Sequence, residues 1–185
     1  MVQPRYEVAA TGDYPAGDAV GVSYLLQFDL VEDLSLAGCP LCCGAARTGR
    51  KYLGSLMQED INDAGVRKQL ECSGGLCADH VLVAVEIATA RGDTMGIALL
   101  TELLLDIGAD LLRREGRRRR GHQPRRVRRR KLSPCPACEA EAVIVNGYAD
   151  LLLAAARQDH NRAPLVAECR LCLPHALATP CSGRS

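Results

Sequence analysis

Apolar residues recur along this chain with a helical period, not a strand period. The stretch from Pro40 to Glu59 has no Pro after its first residue and places Leu53, Leu56 and Met57 on one face. It predicts a helix with Pro at its first position, where the missing N–H costs nothing. Asp60 or Asn62 can cap a short second helix that reaches about Cys72, and Ser73-Gly74-Gly75 ends it. A third helix begins near Ala78 and carries Val81, Leu82, Val85 and Ile87. After Arg91-Gly92-Asp93, a long helix from Thr94 to Arg114 holds Leu99, Leu100, Leu103, Leu104, Ile107, Leu111 and Leu112. Glu102, Asp106 and Asp110 form one wet stripe on it, as in a core helix. Upstream, Tyr24 to Leu36 reads as a helix with Leu25, Phe28, Val31 and Leu34 inward and Gly38 past its end. Residues 1–20 are rich in Gly, Pro, Ala and Asp and read as irregular. Pro136 to Arg157 repeats the Pro-led helix with more Ala, Leu and Val, and reads as more deeply buried. The expected fold class is all-α.

The two Pro-led helices belong to an internal repeat. At an offset of 96, Leu36 meets Leu132, Cys39 meets Cys135, Cys42 meets Cys138, Tyr52 meets Tyr148 and Leu56 meets Leu152. One residue is then lost, and Arg67 meets Arg162, Cys77 meets Cys172, His80 meets His175 and Leu82 meets Leu177. Polar, apolar and Cys/His positions match together, which points to a duplicated helical unit. The expected organisation is a lead-in segment over 1–38, a first repeat over 39–112, a linker over 113–131 and a shorter second repeat over 132–185. The second copy lacks the helices that follow His80 in the first, so it must borrow packing from the first copy or from a partner.

Each copy carries a Cys-x2-Cys pair and a Cys-x2-His pair. The first has Cys39, Cys42, Cys77 and His80; the second has Cys135, Cys138, Cys172 and His175. Three thiolates and one imidazole are a full donor set for tetrahedral zinc, so two Zn²⁺ per chain are expected, one in each copy. Each ion would clip the first helix of its copy to the helix after Cys-x2-His, closing a loop of about 35 residues. Protein fills all four positions, leaving none for an activated water, so the expected role is structural. A buried thiol is the plainer reading for Cys43 and Cys181. Cys72 and Cys169 stay open, because Cys169-x2-Cys172 can form a Cys₄ set with Cys135 and Cys138. Surplus thiols also leave an iron–sulfur cluster as an alternative cofactor. His122 and His160 have no partner pattern and read as surface residues.

Charge adds one feature. Residues 113–131 hold twelve basic residues and one Glu, a net +11, which leaves −10 on the rest and +1 overall. Arg117, Arg118, Arg119, Arg120, Arg125, Arg126, Arg128, Arg129, Arg130 and Lys131 are candidate contacts to the phosphates of RNA, DNA or a ribosome. No aromatic residue lies among them, so base stacking is not expected. Gly116, Gly121 and Pro124 predict a broken, solvated linker. The N-terminus shows no basic start followed by an apolar stretch, and no run of 18 uncharged apolar residues occurs. A cytoplasmic location with reduced thiols is therefore expected.

The Cys-Pro-x-Cys…Gly-x-Cys-x-x-His unit, followed by Cys-Pro-x-Cys…Cys-Leu-Pro-His, resembles an uncharacterised prokaryotic family of tandem Cys₃His helical proteins, a domain of unknown function. The likeness runs from about Tyr24 to Leu177. It implies an intracellular helical fold with metal at the eight matching positions, and it brings no known activity. The long Arg segment and the short C-terminal part depart from the family pattern. No acid, base and nucleophile constellation is evident, so a non-enzymatic interaction or adaptor protein is expected. A thiol-based redox or metal-handling protein is the alternative.

Overall fold

The computed structural model describes residues 19–120, 132–158 and 170–178, and every regular element in them is helical. In chain order these are α1 (Ala19–Ser35), α2 (Pro40–Ser55), a π-helical turn (Leu56–Asp60), α3 (Ala64–Ser73), α4 (Ala78–Arg91), α5 (Thr94–Arg120), α6 (Pro136–Gln158) and α7 (Leu173–Ala178). The all-α expectation holds.

Two compact units form, and they do not follow the repeats. Among the described residues, those up to Thr48 group with those from Ala140 onward, and those within Gly49–Glu139 form the other unit. The expected boundaries at 39, 113 and 132 therefore fall inside units. Element length accounts for this. Helix α2 and the π turn carry the chain about 30 Å onward, whereas the ten-residue α3 spans only about 15 Å.

In the Gly49–Glu139 unit, the core is aliphatic. Leu53, Leu56, Leu70, Ala84 and Leu100 are essentially sealed from solvent. Asp63, not Asp60 or Asn62, caps α3, its carboxylate accepting from the Val66 N–H at 2.9 Å. On α4 the inward residues are His80, Ala84, Ile87 and Ala88, while Leu82 and Val85 point outward. The inward face of α4 is thus rotated from the expected one, because small Ala side chains let α4 pack closely against its neighbours. Helix α5 continues past Arg114 to Arg120, through Gly116. A mid-helix Gly costs about 1 kcal/mol, and a helix already nucleated by packed turns, with Arg as a good helix former, absorbs that cost.

In the other unit, α1 shows the largest departure from expectation. Leu25 and Phe28 are 67% and 66% exposed, and Val31 is exposed too. Leu34 packs inward as expected, but its companions are Leu26, Leu30 and Asp33. Asp33 turns the helix: it is only 1% exposed. Its Oδ2 accepts from the Tyr148 hydroxyl at 2.7 Å and from Arg47 Nη2 at 2.8 Å. Arg47 also donates to the Tyr148 oxygen at 2.8 Å. A buried carboxylate with two donors, one of them charged, is stable where a lone one is not. Gly44 permits the approach, since a Cβ there would lie 2.5 Å from the Tyr148 ring and 3.1 Å from Asp33 Oδ2. Helix α6 packs Tyr148 and Leu152 against α1 and the first turns of α2. The second copy does borrow its packing from elements upstream. Helix α6 is not buried throughout, however, and Val143 is 52% exposed.

Tyr52 and Tyr148 are equivalent in the repeat but not in surroundings. The Tyr52 hydroxyl is buried with no hydrogen-bond partner. Replacing Tyr148 by Phe is expected to cost about 1.5–3 kcal/mol in urea unfolding, the value of a hydrogen bond to a charged group. Tyr52→Phe is expected to be neutral or slightly stabilising in the same measurement, because it removes a polar atom that burial has left unpaired.

Candidate metal centres

The eight Cys/His positions converge, but in crossed pairs. Cys39 and Cys42 meet Cys172 and His175, while Cys77 and His80 meet Cys135 and Cys138. Within each quartet the ligand atoms all lie within 4.8 Å of one another. The expected grouping of Cys39 and Cys42 with Cys77 and His80, and of Cys135 and Cys138 with Cys172 and His175, is corrected. Each quartet takes its Cys-x2-Cys from one copy and its Cys-x2-His from the other. The physical reason is packing within each unit: Cys135 and Ala137 lie against the core of the Gly49–Glu139 unit, and Leu171 and Cys172 against the core of the other. Each quartet lies wholly inside one compact unit.

All four pairs are built alike. In each, the first Cys opens a helical turn, and its carbonyl accepts from the N–H four residues on: Cys39 from Cys43, Cys77 from Val81, Cys135 from Glu139 and Cys172 from Ala176, at 2.9–3.0 Å. The second ligand, three residues later, lies one turn along the same face. In the first centre the Cys42 and Cys172 sulfurs are 3.7 Å apart, and His175 Nδ1 is 3.5, 3.4 and 3.2 Å from Cys39, Cys42 and Cys172. In the second, the Cys77 and Cys138 sulfurs are 3.8 Å apart, and His80 Nδ1 is 3.0, 3.4 and 3.7 Å from Cys77, Cys138 and Cys135. Zinc–sulfur and zinc–nitrogen bonds of about 2.3 and 2.0–2.1 Å in a tetrahedron require edges of roughly 3.8 Å (S···S) and 3.6 Å (S···N). The residues fit a single tetrahedral ion.

Electrostatics agree with that fit. Burial opposes a charged sulfur at Cys39, but backbone N–H groups of Cys172 and Cys42, with thiol donors, outweigh it and hold its pKa below the ordinary value. Burial also opposes charge at Cys135, yet His80 and the backbone N–H groups of Cys77, Cys138 and Ala137 bring it down to about 6. Burial and the neighbouring sulfurs push Cys42 up to about 12 and raise Cys138 as well. Burial lowers His175, keeping it in the neutral form that ligates. Three thiolates and a neutral imidazole around a divalent ion leave one net negative charge, which the backbone N–H groups stabilise.

Cys43 is not a ligand; burial and the nearby Asp33 raise its pKa. Cys72 stands outside both quartets, and its carbonyl accepts from the Ser133 N–H at 3.1 Å. Cys169, Cys181, His122 and His160 lie outside the described residues, as do Arg125, Arg126, Arg128, Arg129, Arg130 and Lys131. Arg117, Arg118, Arg119 and Arg120 form the last turn of α5. Sequence reasoning missed the Asp33–Arg47–Tyr148 network, whose only sequence signal was an acidic residue that continues the i, i+4, i+7 stripe begun by Leu26 and Leu30. Among the described residues, no helix is long and apolar enough to cross a membrane. No protein-family model, curated protein or solved structure matches the chain.

A proton count gives a test. Cys42 and Cys138 hold their protons at neutral pH before an ion binds and must release them to ligate. The ion-bound form therefore carries fewer protons, and raising the pH favours it. Each centre is expected to gain roughly tenfold or more in zinc affinity per pH unit between about pH 6 and 8, measured by competition with a chromogenic chelator. An affinity independent of pH would contradict these thiols as ligands.

Proposed function

We propose that this protein is a non-enzymatic, zinc-dependent helical interaction protein. Its two ions shape the fold, and its Arg-rich segment meets the phosphate backbone of nucleic acid, as free RNA or DNA or within a ribosome. The observation that carries the reading is the pair of Cys₃His quartets with the edge lengths of a tetrahedral ion. Zinc suits them because a closed N/S donor set without an open position matches its structural sites. Donor atoms within 4.8 Å of one another favour a single ion over a cluster of several iron atoms. When bound, the ion supplies cross-linking, and structural zinc contributes on the order of 10 kcal/mol of apparent free energy.

The nucleic-acid part rests on charge. Twelve basic residues between 113 and 131 face a chain that is otherwise acidic. Contact with phosphates would release counterions and be weakly sequence-selective.

Protein purified without added metal is expected to hold two zinc per chain. Chelation with a high-affinity zinc chelator is expected to abolish most of its far-UV helical signal. Affinity for a mixed-sequence RNA is expected to fall steeply as salt rises, and replacing the Arg residues of 117–130 by Gln is expected to flatten that slope. Zinc below one per chain, or a fold indifferent to chelation, would overturn the metal reading. RNA binding unchanged by the Gln replacements would overturn the nucleic-acid reading.

A further inference from the structure

Within the Gly49–Glu139 unit, away from the metal centre, α2 and α4 enclose an open cleft of about 310 Å³ lined by Arg50, Lys51, Ile87, Ala90 and Arg91. That volume is at the small end for a ligand site. Three of the five lining residues are cationic. Arg50 is partly neutralised by Glu86, at 3.1 Å. Among the described residues, no carboxylate lies within ion-pair distance of Lys51 or Arg91. Arg91 sits in the last turn of α4, where a cation complements the carbonyl end of the helix. That explains one charge and leaves Lys51, on a different helix, without a structural reason to face the same space.

Arg91 reaches across to Gly54 of α2. A Cβ at Gly54 would lie 2.9 Å from Arg91 Nη1 and 3.2 Å from Nη2. The guanidinium thus lies against the α2 backbone, and a larger residue at 54 would require this flexible side chain to shift. A mid-helix Gly is unfavourable by about 1 kcal/mol, so α2 accepts a cost at the point where the guanidinium is seated.

We propose that this cleft binds a phosphate group. Two guanidinium forks and an ammonium, with one counter-charge, leave the lining with a net charge of +2. Planar guanidinium forks pair with phosphate oxygens through parallel hydrogen bonds, and Lys adds a point charge. Ile87 and Ala90 complete the lining and add an apolar surface beside the three cations. The phosphate can come from a nucleic-acid backbone or from a small phosphorylated compound, and the chemistry is shared.

The test uses the full zinc-loaded chain, with inorganic phosphate followed by phosphorus NMR and a labelled oligouridine RNA followed by fluorescence anisotropy. Arg91→Ala is expected to weaken phosphate binding roughly tenfold, and Lys51→Ala to weaken it less, the scale of losing a hydrogen bond to a charged group. Both side chains are exposed, so circular dichroism should be unchanged. If Arg91→Ala also weakens RNA binding, the bound group is a backbone phosphodiester. If RNA binding is unaffected while phosphate binding falls, the ligand is a small phosphorylated compound. Gln replacements at Arg125, Arg126, Arg128, Arg129 and Arg130 should leave inorganic phosphate binding intact, which separates this site from the Arg-rich segment. Phosphate binding that is absent from the wild type, or identical in wild type, Arg91→Ala and Lys51→Ala, overturns the proposal.

Discussion

A tetrahedral ion needs four donors at mutual distances of roughly 3.7 Å, and this chain brings two Cys₃His quartets close to that arrangement. Any two donor pairs must be brought to the same few ångströms by the helices that carry them. Here the pairs stand at the starts of helices, so each helix is fixed at its first turn and free to differ in length beyond it. Cys39 and Cys42 open α2 and meet Cys172 and His175 at the start of α7. Cys77 and His80 open α4 and meet Cys135 and Cys138 at the start of α6. The result is a nested closure, with sequence separations of 130 residues between Cys42 and Cys172 and 61 between Cys77 and Cys138.

Nesting has an energetic consequence. Closing a longer loop removes more freedom from the unfolded chain, by about 0.6 kcal/mol for each doubling of length. The outer closure is nearly two doublings longer than one within a copy would be, so a cross-link there restricts the unfolded ensemble by roughly 1 kcal/mol more. The gain is small beside the binding free energy of the ion itself. What the crossing mainly provides is connectivity. The early part of the chain and its last described helix become one compact unit, although more than a hundred residues separate them. That unit has few large apolar residues in its core, among them Leu30, Leu41, Tyr148 and Leu152, and it adds the Asp33–Arg47–Tyr148 network. Its cohesion combines packing, a satisfied buried charge and a set of metal donors.

The sequence made much of this legible, and the reasons for the rest are specific. All eight donors could be read from spacing, because Cys-x2-Cys and Cys-x2-His at helix starts leave little alternative geometry. Which pairs share an ion could not be read, since both pairings satisfy the same local spacing and the choice rests on which core each pair packs against. The helices themselves were visible in the apolar period, and their inward faces less so. On α1 the sequence offers two apolar stripes of similar strength, Leu25–Phe28–Val31 and Leu26–Leu30–Leu34. Asp33 lends the latter stripe a polar character, although Arg47 and Tyr148 convert that carboxylate into an inward-facing group. On α4, Ala84 and Ala88 carry little hydrophobic weight, yet they are the buried positions.

The crossed pairing can be tested directly by removing whole donor pairs and counting tightly held zinc by native mass spectrometry. Replacing Cys39, Cys42, Cys172 and His175 with Ala leaves one quartet complete under the crossed pairing, and this variant is predicted to retain one ion. Replacing Cys39, Cys42, Cys77 and His80 leaves half of each quartet, and that variant is predicted to retain none. The reverse result, one ion in the second variant and none in the first, would show that each copy closes on its own metal and would contradict the account.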